Sequence, residues 1–117
     1  MPTSTIRIFK NKQVGKNASI TPGTPVYLGK VGPDARFWMD ASWAGSGAIK
    51  IVQRICDTPE GTYYQPSTAV ATTIVASMAA GRNRFSASLV GSEWFKPRVV
   101  EKNIATGTID LTMIIRY

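Results

Sequence analysis

Short runs in which apolar and polar residues alternate cover much of the chain, and a period of two predicts β-strands. The clearest run is residues 109–116, where Ile109, Leu111, Met113 and Ile115 alternate with Asp110, Thr112, Ile114 and Arg116. This run predicts a central strand. The same reasoning, with enrichment in β-branched and aromatic residues, predicts further strands at residues 5–9, 25–29, 36–40, 48–56, 62–64, 84–90 and 95–101.

One segment fits two interpretations. Residues 70–80 contain alanines that permit a helix, but their Val, Thr and Ile residues favour a strand. Pro97 predicts an edge position or a bulge for its strand, because proline lacks the N–H that a sheet interior needs.

Glycine, proline and small polar residues separate the predicted strands. They predict turns at residues 32–34, 44–47 and 57–61. The longest such stretch, residues 10–25, has no apolar periodicity and predicts a loop or an extended arm. An arm of this length is expected to contact a neighbouring subunit.

The total of eight or nine short strands, without β–α–β alternation, predicts an all-β fold. We expect a single domain over residues 1–117, since this length suits one core. The leading topology is an antiparallel β-sandwich that is jelly-roll-like.

The charge balance indicates the kind of partner that the protein could bind. Fourteen Lys and Arg residues oppose seven Asp and Glu residues, so the formal net charge is +7. Such an excess favours a polyanionic partner. The charges are dispersed, however, and the densest group is only Lys10, Lys12 and Lys16. We therefore expect nucleic-acid binding that is weak, sequence-independent and salt-sensitive.

The reactive side chains predict no catalytic residue, metal site or cofactor. The chain has no histidine, which is the commonest general base and metal ligand. A single cysteine, Cys56, can form neither an intrachain disulfide nor a cysteine-based zinc site. The carboxylates are scattered: Asp34, Asp40, Asp57, Glu60, Glu93, Glu101 and Asp110. We expect a protein that is not an enzyme.

Five aromatic residues are the candidate interface or ligand-binding positions: Trp38, Trp43, Tyr63, Tyr64 and Trp94. If exposed, they are suited to stacking on sugars or nucleobases, or to anchoring a protein interface. If buried, they fill the core. Trp38, Tyr64 and Trp94 each adjoin another aromatic residue, and neighbours in a strand point to opposite faces. One member of each pair is then left for another layer, a subunit or solvent, which favours self-association.

The sequence pattern predicts neither a signal peptide nor a membrane span. Residues 1–4 lack the basic and apolar regions of a signal peptide, and no stretch reaches the roughly 18 apolar residues of a membrane span. We expect a cytoplasmic protein where it is made, without a membrane partner.

The turn and strand pattern over about residues 24–116 resembles small β-sandwich domains of tailed-phage and prophage virion proteins. The segments that carry the resemblance are residues 26–29, 45–51, 57–63 and 95–100. It implies a multi-copy structural role as a capsid, decoration or tail component, with itself and other virion proteins as partners and the virion as its location. The alternative is a module that binds carbohydrate or single-stranded nucleic acid through aromatic and basic side chains.

Overall fold

The computed structural model describes residues 3–15, 19–29, 34–64, 73–87 and 93–116. These residues form strands and turns and contain no helix, so the all-β prediction is confirmed. Within these ranges the sheet is antiparallel and has seven strands: β1 (Thr3–Val14), β2 (Ser19–Ile20), β3 (Val26–Tyr27), β4 (Arg36–Cys56), β5 (Thr73–Met78), β6 (Gly81–Ala87) and β7 (Trp94–Arg116).

Two long strands form the centre of the fold. β4 has 21 residues, β7 has 23, and they pair from Arg36 with Arg116 to Cys56 with Trp94. A straight strand of that length would span roughly 70 Å. The longest dimension of the protein is only 38 Å. Both strands must therefore bend sharply, and the sheet folds back on itself.

The bend lies where two glycines face each other across the central pair. Gly45 pairs with Gly107, and the register shifts between Ser46 and Ala48. A Cβ atom added to Gly107 would lie 2.6 Å from the Cα atom of Gly45, so the two backbones approach too closely for any side chain. Gly47, with a φ of 69°, adopts a left-handed conformation that favours glycine. The predicted turn at residues 44–47 is therefore wrong: these residues bend one continuous strand.

The bend divides the sheet into two halves. In the first half, residues 36–46 of β4 and 106–116 of β7 are flanked by β6 and β1. In the second half, residues 48–56 of β4 and 94–102 of β7 are flanked by β5 on one side and β2 and β3 on the other.

The inner faces of the two halves enclose one core. Buried members of this core come from both halves and include these side chains: Met39, Trp43, Ile49, Ile51, Phe95, Val99, Ile109, Leu111, Met113 and Ile115. Because the described strands belong to one folded sheet rather than two separate ones, the jelly-roll-like sandwich is not confirmed.

The prediction of a loop or arm at residues 10–25 is corrected for the described part of that segment. Residues 10–14 continue β1, and β2 pairs with Val99 and Val100 of β7. Two register shifts and the positive φ of Asn11, 47°, interrupt the alternation of β1. They allow Val14 to reach the core, where it is fully buried. Because these bulges break the alternation of apolar and polar residues, the sequence pattern did not predict this part of the strand. Residues 16–18 lie outside the described residues.

The predicted strands 95–101 and 109–116 are parts of one strand, β7, and residues 109–116 are central as expected, between β1 and β4. The edge position or bulge predicted for Pro97 is wrong, because this residue lies inside β7 opposite Gln53. On the other side of β7, β2 ends with Ile20 opposite Val99, and β3 begins with Val26 opposite Phe95. Pro97 lies in that gap, where its missing N–H interrupts no pairing with β2 or β3.

Fewer, longer strands replace the eight or nine short ones in the described part of the chain, because 36–40 and 48–56 merge in β4 as well. Residues 73–78 of the ambiguous segment form β5, a strand. The predicted strand at 62–64 is reduced to a bridge between Tyr64 and Ile55. β6 contains residues 84–87 of the predicted 84–90 run. Residues 30–33, 70–72 and 88–90 lie outside the described residues.

Candidate interaction surfaces

The structure separates the five candidate aromatic residues. Trp43 belongs to the core, where it is only 2% exposed and its indole N–H has no acceptor among the described residues. It is therefore not part of an outer surface of the folded chain. Trp38, Tyr63 and Trp94 are half-buried, and Tyr64 is 49% exposed.

The outer face of the second half combines aromatic and basic side chains. Along β7, Trp94, Lys96 and Arg98 alternate with the buried Phe95 and Val99. The neighbouring positions of β4 and β3, and the segment after β4, add four further residues. We call this surface the basic–aromatic face: Tyr27, Lys50, Arg54, Tyr63, Trp94, Lys96 and Arg98.

Two aromatic rings lie side by side at one end of this face. Tyr27 pairs with Trp94 across β3 and β7. Their ring centroids are 4.8 Å apart with an angle of 43° between the planes, within the range of favourable aromatic contacts. Tyr27 remains 41% exposed, so part of its ring is open to a ligand.

Tyr63 connects the two cations in the middle of the face. Arg54 Nη2 donates a hydrogen bond of 2.7 Å to the carbonyl oxygen of Tyr63, and Lys96 Nζ lies 4.6 Å from the centroid of its ring. The phenol donates a hydrogen bond of 3.2 Å to the carbonyl of Pro59. Burial, with smaller electrostatic contributions from Cys56 and Glu60, raises the pKa of Tyr63, which favours the protonated phenol that donates this bond.

Like charges face each other on the basic–aromatic face. Arg54 and Lys96 are direct cross-strand partners on β4 and β7, an arrangement that destabilises a sheet. Arg98, the next outward residue of β7, donates a hydrogen bond of 2.7 Å to the hydroxyl of Ser19. The described contacts of these three cations are thus with a ring, a carbonyl and a hydroxyl.

The outer face of the first half is organised differently, because its cations are paired with carboxylates. Asp40 on β4 accepts from Arg82 at 3.0 Å and from Arg84 at 3.4 Å, both on β6. Arg7 on β1 lies 4.0 Å from Asp110 on β7. These ion pairs link β4 to β6 and β1 to β7, and their two carboxylates compensate part of the local positive charge.

Trp38 lies on the same outer face, near the free end of the central pair. The guanidinium carbon of Arg116 is 5.5 Å from the centroid of its ring, a cation–π distance. Arg116 and Arg36 are cross-strand partners, so a second pair of like charges occurs here. The neighbouring Phe37 packs against the core, as the alternation of faces requires.

The Asp40 ion pairs make stability depend on pH. The hydrogen bonds and charges of Arg82 and Arg84 lower the pKa of Asp40 below its usual 3.8, against the raising effect of burial. The stabilisation is therefore complete above the unfolded-state pKa and is lost as the pH falls through the lower folded-state pKa. We expect the melting temperature to fall below pH 4, and to fall less in Asp40→Asn. Thermal melts from pH 7 to pH 2 measure this.

Asp34→Asn is the matched control, since Asp34 is exposed in a turn. If Asp40→Asn and Asp34→Asn change the acid dependence equally, the Asp40 ion pairs do not contribute in the way described.

The basic–aromatic face was only partly recognised from the sequence. Tyr63 and Trp94 were candidates, whereas Tyr27, Arg54 and Lys96 were not. The signal for Tyr27 was its alternation with the apolar Val26 and Leu28 in a predicted strand. The cations had no local signal, because only strand pairing brings Arg54 opposite Lys96.

Comparison with protein-family models and with curated protein sequences finds no match for the chain. The part of the chain that the structure describes has no cluster of three or more side chains suited to holding a metal ion. It also has no helix of the length and apolar character needed to cross a membrane.

Proposed function

We propose that the protein is a non-enzymatic structural protein that assembles with further copies of itself through the open edge of β1. The observation that carries this proposal is the regular edge at residues 3–7. There β1 pairs with β7 without interruption, from Thr3 with Arg116 to Arg7 with Thr112. No described strand lies on its other side. An unpaired, regular edge is a template for pairing with another chain.

The remaining edges of the described sheet have features that oppose such pairing: β2 and β3 have only two residues each, and the pairing of β5 with β4 shifts register twice. The second part of β1 has two register shifts and the exposed Lys10 and Lys12. The edge strand β6 has Arg82, Asn83 and Arg84 at consecutive exposed positions. Bulges and charged side chains are the means by which proteins block edge-to-edge association. Residues 3–6 have neither, so the open edge is confined to the start of β1.

The side chains of this edge fit a second copy. If two copies pair in antiparallel orientation about Thr5, each Thr5 faces the other, and Thr3 faces Arg7. No like charges are opposed, and Thr–Thr pairs across strands are favourable. The contact is symmetric and yields a dimer, so larger assemblies need a second contact.

The resemblance to tailed-phage virion domains supports a multi-copy role as a capsid, decoration or tail component. The jelly-roll-like sandwich is part of the same proposal. What supports it is that the two halves of the folded sheet cover one core from opposite sides, as the layers of a sandwich do.

Size-exclusion chromatography with light scattering tests the proposal. The chain has a mass of 12.7 kDa, and we expect the wild-type protein to elute as a dimer or a larger multimer. Thr5→Lys should shift it towards the monomer, because the substitution places two lysines opposite each other across the edge. Thr5 is exposed in the single chain, so the melting temperature should change little.

Ser86→Lys is the matched control. It adds the same charge at an exposed position of β6, on the far side of the first half. A wild-type protein that is monomeric at high concentration, or a Thr5→Lys variant that assembles normally, would overturn the proposal.

A further inference from the structure

We infer that the basic–aromatic face binds single-stranded nucleic acid, with phosphate groups against its Lys and Arg side chains and unpaired bases on its exposed rings. The site lies on the second half of the sheet, whereas the β1 edge belongs to the first half. It does not depend on the proposed assembly function.

The charges of this face point to an anionic ligand. Arg54 and Lys96 are opposed across two paired strands, with Arg98 one outward position further along β7 and Lys50 two positions further along β4. On the first half of the sheet, by contrast, both arginines of β6 already contact the carboxylate of Asp40. A phosphate group between Arg54 and Lys96 would relieve their repulsion and accept charge-assisted hydrogen bonds from both.

The aromatic rings point to bases rather than to phosphate alone. Along β7, a ring is followed by two cations at intervals of about 7 Å, the repeat of outward-facing residues in a strand. The ring of Tyr27 lies beside that of Trp94 and adds to the aromatic surface on which bases can stack. Basic grooves that follow the backbone and rings on which bases stack are the two elements of single-strand recognition.

Base stacking on these rings requires unpaired bases, which a duplex does not offer. The described residues have no helix that would enter a major groove, the usual route to reading duplex DNA. A sheet surface with aromatic residues is instead suited to splayed bases. The ligand class is therefore single-stranded nucleic acid, read without sequence specificity.

Fluorescence anisotropy tests the contribution of the Lys and Arg side chains to binding. The protein is titrated into a fluorescein-labelled oligothymidylate of 15 nucleotides at low and at physiological salt. The double variant Arg54→Gln/Lys96→Gln should bind about tenfold more weakly at low salt. Its log–log salt slope should be smaller in magnitude by about 1.4, or about 0.7 for each lost phosphate contact.

Lys10→Gln/Lys12→Gln is the matched control, because it removes the same charge from exposed positions of β1. It should bind nearly as the wild type does. Equal loss in both double variants would show diffuse attraction to the net charge and would overturn the site. Arg54 also donates a hydrogen bond to Tyr63, so the double variant could lose stability. If it fails to fold, Arg98→Gln replaces it, and the salt slope should then change by about 0.7.

The contribution of base stacking to binding is tested with the variant Trp94→Leu and with an abasic oligonucleotide of the same length. Trp94→Leu should weaken oligothymidylate binding about tenfold, in the range typical of one stacked base, and leave abasic binding unchanged. Oligothymidylate that binds no more tightly than the abasic chain would overturn the inference. Equally effective competition by heparin, or by duplex DNA of the same phosphate number, would identify a general polyanion surface instead.

Discussion

Replacing Leu111 with Ala should lower the free energy of unfolding by about 2–5 kcal/mol, the usual effect of removing a large side chain from a packed core. Leu111 is fully buried in β7, between Phe9 of β1 and Ala41 of β4. Paired strands on both sides of β7 restrict the relaxation that would refill the cavity. Urea denaturation followed by tryptophan fluorescence measures the change.

Ile114→Ala is the control for this experiment. Ile114 lies on the same strand but on the outer face, opposite Trp38, and is only half-buried. We expect a loss of at most about 1 kcal/mol, since surface substitutions have small effects. Equal losses for the two variants would contradict the assignment of inner and outer faces in β7.

Gly107→Ala should also be strongly destabilising, by about 3 kcal/mol, at the upper end of the usual effect of overpacking. The new methyl group would lie 2.6 Å from the Cα atom of Gly45 and close to the backbone of Ala44. Neither neighbour is a flexible side chain, so the two central strands would have to separate at the bend. The melting temperature and the urea midpoint report the loss.

Gly15→Ala is the matched control, because a Cβ at Gly15 meets no atom within 4 Å. It should leave stability nearly unchanged or raise it slightly, since alanine restricts the unfolded chain. If Gly107→Ala is as stable as Gly15→Ala, the two glycines are not needed for the bend, and the folding back of the sheet requires another explanation.

The candidate sites illustrate what a linear pattern can reveal. Trp94 and Phe95 were expected to point to opposite faces, and the structure has Phe95 buried and Trp94 outward. Which member of each pair faces outward was not predictable, because the face depends on the register with β4. Trp43 was a surface candidate because it lies next to the predicted turn at residues 44–47, but β4 continues through it and its side chain is buried in the core.

The residue types and their alternation along the chain were sufficient to predict the all-β fold class. Alternating residues and β-branched side chains predict strands because a strand turns successive side chains to opposite faces, and this requires no knowledge of the partner strand. The run at residues 109–116 shows the strength of the signal: all four of its predicted inward residues are buried.

The number of strands and the location of the sites depended on long-range contacts. The glycines at residues 44–47 suit a turn and a bend equally well, and the opposing Gly107, 62 residues after Gly45, determines that β4 continues. The bulges of β1 are likewise defined only by its pairing with β7, because a register shift needs a partner strand. Arg54 and Lys96 become one site through the same pairing. Each of these features arises between segments far apart in the chain, where local residue preferences contain no information about register.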